Sequence, residues 1–458
     1  MHKAFRMRAL CFLWLAAGAL PVLAQHDMPG HAGHDMGQMA GHDMSHMTTH
    51  SPGANGDPVS LSAMDQASGT SANPASSPMN MMEARIGRWD FLFHGVAFIS
   101  DIQQTGPRGG DKFASMNWFM GSAEHQAGRG SIQFRLMLSL DPATVTDRRY
   151  PELFQTGETA FGKPIVDGQH PHDFIMESSV QYRRPVGEKS VLNLYLAPVG
   201  DPALGPAAFP HRVSAAELPQ APLSHHWQDS THIANEVVTA SLTRGIFRWE
   251  ASGFHGAEPN ENRWNIDHGA IDSWAVRAWV NPAPNWSGQV SVGRLHHPEI
   301  LEPDDVVRAT ASLTYNKPLT GGCWATSLIW GRNHKTVAQR NTNSYLLESV
   351  YQFRHTNYLT GRVEMVDKDE LFQAQPQLRD RLEETAGSTF RIIPYTLGYT
   401  RDVSLLPGLT TGFGANVTLY RVPAVIQRYY GEHPVSVIFY MRVRLAGSGP
   451  MQHSSHRS

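Results

Sequence analysis

The chain has 458 residues, a formal net charge of -3 and only 17% charged residues, a balance that points to neither a nucleic acid nor a strongly acidic partner. After the leading segment no run reaches 18 uncharged apolar residues, which excludes a membrane-crossing helix. Of the two cysteines, Cys11 lies in the leading apolar run, so Cys323 would stand alone and no internal disulfide framework is possible.

Residues 1–24 read as a secretory signal peptide. His2, Lys3, Arg6 and Arg8 form a positive start, an apolar run follows from Ala9, and Val22-Leu23-Ala24 supplies small residues before Gln25. The run is about half the ~20 residues a bilayer span needs. Cys11 sits inside that run and not at the cut, which speaks against a lipoprotein.

Residues 25–50 spend nearly every third position on His or Met. The triplet His-Asp-Met recurs at 26–28, 34–36 and 42–44, an eight-residue repeat. The candidate ligands are His26, Met28, His31, His34, Met36, Met39, His42, Met44, His46, Met47 and His50. Thioether sulfur suits Cu(I) and imidazole suits both copper states, whereas a His-only tract would suit zinc or nickel equally. The Met content therefore points to copper, Cu(I) or Cu(II), or to silver. The competing readings are a polar low-complexity tail with incidental ligands, or an expression tag, although tags do not interleave Asp and Met. Residues 51–85, opening SPGANGDPVS, are rich in Pro, Gly, Ser, Ala and Asn and read as a disordered linker.

From 86 to 447 the texture becomes runs of about ten residues with period-two alternation, the signature of an outer-membrane β-barrel. In VSVIFYMRVRL, Val435, Val437, Phe439, Met441, Val443 and Leu445 share one face, and Ser436, Tyr440, Arg442 and Arg444 the other. In FIMESSVQY, Phe174, Met176, Val180 and Tyr182 oppose Glu177 and Gln181 in the same way. Strands are expected at 89–103, 112–125, 130–140, 174–185, 190–198, 236–244, 246–255, 271–281, 286–296, 306–316, 323–333, 344–354, 358–367, 389–401, 409–421 and 434–445, sixteen in all. Every second connection is short and most of those between are long, notably 141–173, 199–235, 256–270, 368–388 and 422–433. Short periplasmic turns and long outer loops fit an all-β, antiparallel transmembrane barrel of about 16 strands, wide enough for an aqueous channel. Trp89, Trp286, Trp324 and Trp330 fit aromatic girdles. Residues 448–458 read as a disordered C-terminal tail, with Met451, His453 and His456 as a faint echo of the first.

The sharpest string in the barrel region is DGQHPHD at 167–173. In an extended segment His170 and His172 point the same way, with Pro171 stiffening the chain between them. Asp167 and Asp173 can ligate or orient the rings. His170, His172 and Asp173 are therefore further metal-ligand candidates, with hydrogen-bonded anchoring of a loop as the alternative. His211, His225, His226, His232, His255, His268, His296, His297, His334 and His433 fall on the same outer side, where they would line a pore mouth or fasten loops. Inward-facing Arg135, Glu177, Arg248, Glu250, Arg277, Arg308, Glu348, Arg362, Glu364, Arg442 and Arg444 fit either a selective constriction or the ordinary lining of a water-filled lumen.

No GxSxG, Walker loop, GxGxxG after a strand or paired thiol occurs, so no catalysis is expected and no cofactor is required for it. A signal peptide, a tail with repeated His-Asp-Met, a linker and a C-terminal barrel together resemble the copper resistance protein B family of bacterial outer membranes. The resemblance rests on the tail at 26–50 and on the layout, and the barrel matches no family motif residue by residue. It implies a role in copper sequestration or export beside a periplasmic copper oxidase or efflux components. The expectation is an outer-membrane barrel, embedded in the lipid bilayer and possible as a homotrimer, that binds copper or silver through a periplasmic tail and contributes to copper tolerance. The alternatives are a general or solute-specific porin whose tail is incidental, and an outer-membrane hydrolase built on a Ser/His pair.

Overall fold

The computed structural model describes residues 67–445 apart from 79, 303, 406 and 407. The signal peptide, the His/Met tail at 25–50 and the C-terminal tail at 448–458 lie outside the described residues.

Nineteen strands follow in order: β1 Met82–Ile86, β2 Trp89–Gln104, β3 Asp111–Ala127, β4 Gly130–Leu138, β5 Tyr150–Ala160, β6 Lys163–Gln169, β7 Ile175–Val186, β8 Ser190–Gly200, β9 Ala234–Arg244 and β10 Phe247–His255. The second half comprises β11 Ser273–Val280, β12 Trp286–Leu295, β13 Val306–Leu319, β14 Gly322–Lys335, β15 Arg340–Phe353, β16 Asn357–Lys368, β17 Phe390–Val403, β18 Leu409–Arg421 and β19 Val435–Leu445. Sixteen of them, β2–β4 and β7–β19, pair antiparallel with their sequence neighbours, β4 passing directly to β7. The ring closes where β19 meets β2, Tyr440 opposite Ser100. β1 adds a hairpin to the start of β2, and β5 with β6 forms a separate hairpin inside the loop between β4 and β7. The closed ring leaves no free sheet edge in lipid, which is the condition for a β-structure to cross a bilayer. All sixteen expected strands are present, with ends displaced by a few residues at most.

The alternation that marked the strands sorts their side chains. On β10, Phe247 and Trp249 are exposed and Arg248, Glu250 and Ser252 are buried. The exposed apolar series continues around the wall through Val290, Leu313, Leu328, Leu347, Leu397 and Phe439, a lipid-facing belt. Trp286, Tyr315 and Trp324 pack edge to edge at the end of the short turns, ring centroids 4.5 and 5.8 Å apart, as an aromatic girdle does. Trp330 instead sits in the middle of β14.

Met176 departs from the expected alternation. A register shift opposite Met137 and Leu138 inserts one extra residue into β7, so Met176 turns inward and is fully buried beside Glu177. A bulge of this kind re-aims one side chain without breaking the ring.

The lumen is the second departure. The loop 201–233 between β8 and β9 folds into the barrel, and every residue of it except Pro210, His211 and Ala216 is buried. Part of the segment expected as linker over 51–85 is also ordered: residues 67–72 are buried in the lumen, and Met82–Ile86 form β1. The barrel girth expected to hold an aqueous channel is therefore occupied by the chain's own backbone.

Candidate functional site in the filled lumen

The charges that line the wall are used to hold this plug. Arg212 of the loop donates to Glu348 of β15 at 2.5 Å and to Asp229 within the loop at 2.8 Å, and Arg362 of β16 reaches the other oxygen of Glu348 at 3.0 Å. Glu217 of the loop pairs with Arg442 and, at 3.2 Å, with Arg444 of β19. Glu364 of β16 accepts the backbone N–H groups of Leu223 and Ser224 at 3.1 and 2.8 Å. Arg277 of β11 spans Glu250 at 2.7 Å, the Gly205 carbonyl at 2.9 Å and Thr70 of the threaded segment at 3.0 Å. Glu177 joins Arg135 at 3.2 Å, the Tyr195 hydroxyl at 3.1 Å and the Gly69 N–H at 3.1 Å. Ten of the eleven inward charges named from the sequence are buried, and Arg444, the eleventh, is nearly so. Neither a solvent-lined constriction nor a water-filled lumen describes them, because most are partnered by plug atoms and the rest, such as Arg248 with Glu250, by one another. Among the described residues, the cavities beside the plug include two of about 30 and 20 Å³, each room for one or two waters. A shallow groove of about 700 Å³ over Trp249, Val290, Leu313 and Leu328 belongs to the lipid-facing belt.

The plug also gathers histidines that the sequence scatters. His211, His225, His226 and His232, expected at a pore mouth, lie on the inserted loop instead. His170 and His172 both face that loop, as their alternation requires. The His172 ring stands 5.7 Å from His232, His232 5.3 Å from His225, His225 5.3 Å from His226, and His226 5.8 Å from His170, centroid to centroid. His211 lies 6.3 Å from His94 on β2, and the His94 Nε2 is 3.2 Å from the Met120 sulfur. Met120, Met137 and Met176 are buried together with Trp118 in one cluster.

Most of these rings have an orienting partner. His172 Nδ1 is 2.9 Å from Asp141, His225 Nδ1 2.7 Å from Asp229, and His232 Nδ1 2.9 Å from the Asp229 carbonyl. His170 Nε2 is 3.0 Å from Glu158, and Asp173 pairs with Arg263 at 3.4 Å instead of with either neighbouring ring. Burial lowers the pKa of His170, His211 and His225, in the last case against the pull of Asp229, and lowers that of His232 to about 4. These rings are therefore neutral at ordinary pH, the form that ligates metal.

Among the described residues two groups of three His, Asp or Glu donors come close enough to share an ion: His226, Glu258 and Glu299, and His296, His297 and Asp305. Neither includes His170, His172 or Asp173, and the tail ligands lie outside the described residues. Glu258 and Glu299 were invisible to motif reading, since they belong to separate outer loops, 256–272 and 296–305, that meet only in three dimensions.

No family model matches the chain, and no curated protein matches it either. Solved structures that resemble it include the anion-selective porin from Comamonas acidovorans, with a TM-score of 0.48, 12% identity and coverage of 78% of this chain and 100% of that one. OmpF of Salmonella typhi in complex with daunomycin gives a TM-score of 0.48 at 10% identity over 80% of this chain and 100% of that one. OprB of Pseudomonas putida gives 0.47 at 11% identity over 78% and 94%. The class of the protein rests on its own strand pairing: it is a sixteen-stranded antiparallel barrel of the outer-membrane type, closed on itself and filled from within.

Proposed function

We propose that this protein is a gated outer-membrane channel of porin-like build, in which loop 201–233 and the threaded segment 67–77 close the lumen and their displacement admits a small polar solute or ion. The observation that carries this reading is the match between wall and plug. A sixteen-stranded ring is wide enough for a channel, and here it is filled by loop atoms held through ion pairs and hydrogen bonds, without a covalent link. The test is conductance of the purified protein in planar lipid bilayers. A closed ground state that opens in discrete steps under voltage or mild denaturant supports the reading, and a barrel that stays silent until it unfolds rejects it.

A second reading, copper or silver tolerance, is favoured by the file of histidines and by the buried Met120–Met137–Met176 cluster against His94. Soft thioethers beside imidazoles suit Cu(I), and the same residue types dominate the tail at 26–50. Its test is titration of Cu(I), Cu(II) and Zn(II) against competing chelators, with the mature chain and a version lacking residues 26–50. Copper binding that survives in part without the tail points to the lumen ligands. Binding that vanishes with the tail leaves the lumen as a gate alone.

A further inference from the structure

His226, Glu258 and Glu299 converge from three separate outer segments. His226 is on the helical turn His225–Gln228 of the plug, Glu258 on the loop after β10, and Glu299 on the loop after β12. The His226 Nδ1 is 3.4 Å from Glu299 Oε1 and 3.9 Å from Glu258 Oε2, and one donor atom from each residue lies within 4.8 Å of the other two. Two ligands bound at 2.0–2.1 Å to a tetrahedral ion stand about 3.4 Å apart, so small side-chain rotations complete the contact.

Several features mark this as a built site and not a chance approach. His226 is 6% exposed, yet its Nε2 has no hydrogen-bond partner and its Nδ1 faces only the two carboxylates, and Glu258 Oε2 is likewise buried without a partner. Orphaned buried polar atoms of this kind are costly unless something joins them. The remaining carboxylate oxygens are oriented from behind: Ser230 Oγ donates to Glu258 Oε1 at 3.0 Å, and the Glu158 backbone N–H donates to Glu299 Oε2 at 3.0 Å. The nearby Arg308 guanidinium hydrogen-bonds to Ser230 at 2.9 Å and to Asn333 at 3.0 Å, and its charge also acts on Glu258 and Glu299. The ring is seated against Gly157, whose φ is +128° and where a Cβ would stand 2.4 Å from His226 Cε1, so a side chain there would drive the ring away. The cavity of about 30 Å³ alongside, lined by His226 and Glu299, has room for a water as a fourth ligand.

We propose that His226, Glu258 and Glu299 bind one divalent first-row transition-metal ion, of the Zn(II) or Cu(II) type, that clasps the plug to two outer loops. One imidazole and two carboxylates make a borderline nitrogen and oxygen donor set without sulfur, which favours these ions over Cu(I). The two carboxylates supply negative charge for a dication. The site is separate from the methionine cluster, and because His226 belongs to the plug it is complete only while the plug is seated.

The test uses the full mature chain in detergent with Zn(II), comparing wild type with His226→Ala and with Glu258→Gln/Glu299→Gln. The double glutamine variant keeps side-chain volume and an oxygen acceptor for Ser230 and for the Glu158 N–H, and serves as the second variant if the alanine variant fails to fold. Two readouts are taken: Zn(II) stoichiometry against a competing chelator, and the rise in apparent Tm of the barrel on saturation, which an ion held by the tail alone does not produce. The expected result is one equivalent fewer per chain and loss of the Tm rise in each folded variant. Unchanged stoichiometry and an unchanged Tm rise in the double glutamine variant overturn the site.

Discussion

The wall and the plug of this protein are built on opposite principles. The wall obeys a period of two, with apolar residues to lipid and polar residues inward. The plug has no period and little regular structure, and it is held by named partners, Arg212 to Glu348, Glu217 to Arg442 and Arg444, and Glu364 to two backbone N–H groups. The comparison shows how a barrel of this girth can be filled without a folded plug domain: charges that would otherwise need water are paid back by a complementary loop. A buried pair contributes modestly against an apolar alternative, but breaking it leaves an uncompensated charge.

The sharpest way to break the contrast is at that network. Glu348→Ala strands Arg212 and Arg362 in the lumen and is expected to cost about 3–5 kcal/mol, read as the free energy of unfolding from lipid vesicles together with a rise in bilayer conductance. A loss below about 1 kcal/mol, the scale of an exposed pair, argues that the plug is not held there. On the wall, Leu313→Arg places a charge in the lipid belt and is expected to cost about 2–4 kcal/mol near the midplane while leaving conductance at the wild-type level. Conductance that changes with Leu313 would blur the division between wall and plug.

A third change sharpens the comparison at the cost of the Ser214 hydrogen bond to Glu348 at 2.9 Å. The hydroxyls of Ser214 on the plug and Ser327 on β14 hydrogen-bond at 2.7 Å, so the two side chains point at one another, as a disulfide between these positions requires. Ser214→Cys/Ser327→Cys should oxidise to a lock that abolishes channel opening and releases it on reduction. Opening that persists in the oxidised form means that this part of the plug does not need to move.

The smallest expected effect is on pH. Burial holds His232 down to about 4 from an ordinary 6.5, with His172, His170 and Asp229 facing it. A plug with a depressed histidine pKa binds fewer protons than the released loop between those values. Its stability is therefore fully present above pH 6.5 and is lost as pH falls towards 4. Open probability should rise across that window, and His232→Asn, which retains a donor for the Asp229 carbonyl, should flatten part of the rise. A wild-type profile flat from pH 7 to 4 removes His232 from the closing contacts.

Much of the barrel was legible because its physics is local. Alternation reports which face meets lipid, turn length reports which side of the membrane a connection occupies, and both survive without knowledge of any partner strand. Met176 failed because a bulge is a one-residue slip that composition does not announce. The inward charges were identified correctly as inward, yet their role was not, since a charge facing water and a charge facing a plug look the same along a strand. His226 was noticed as one outer histidine among many, while Glu258 and Glu299 carried no spacing signal at all, being separated from it by whole strands. The tail ligands at 26–50 are the reverse case, a site proposed from residue type alone.

The sequence by itself determined the sixteen strands of the ring and, Met176 apart, the side of the wall on which the residues named from it lie, because hydrophobic transfer acts residue by residue with the strand's own period. Only the tertiary structure decided that the lumen is filled, which charges neutralise one another, and that one imidazole and two carboxylates from three segments share a point in space. Those outcomes depend on long-range complementarity, and a chain read in order carries no record of the distance between residues that its loops bring together.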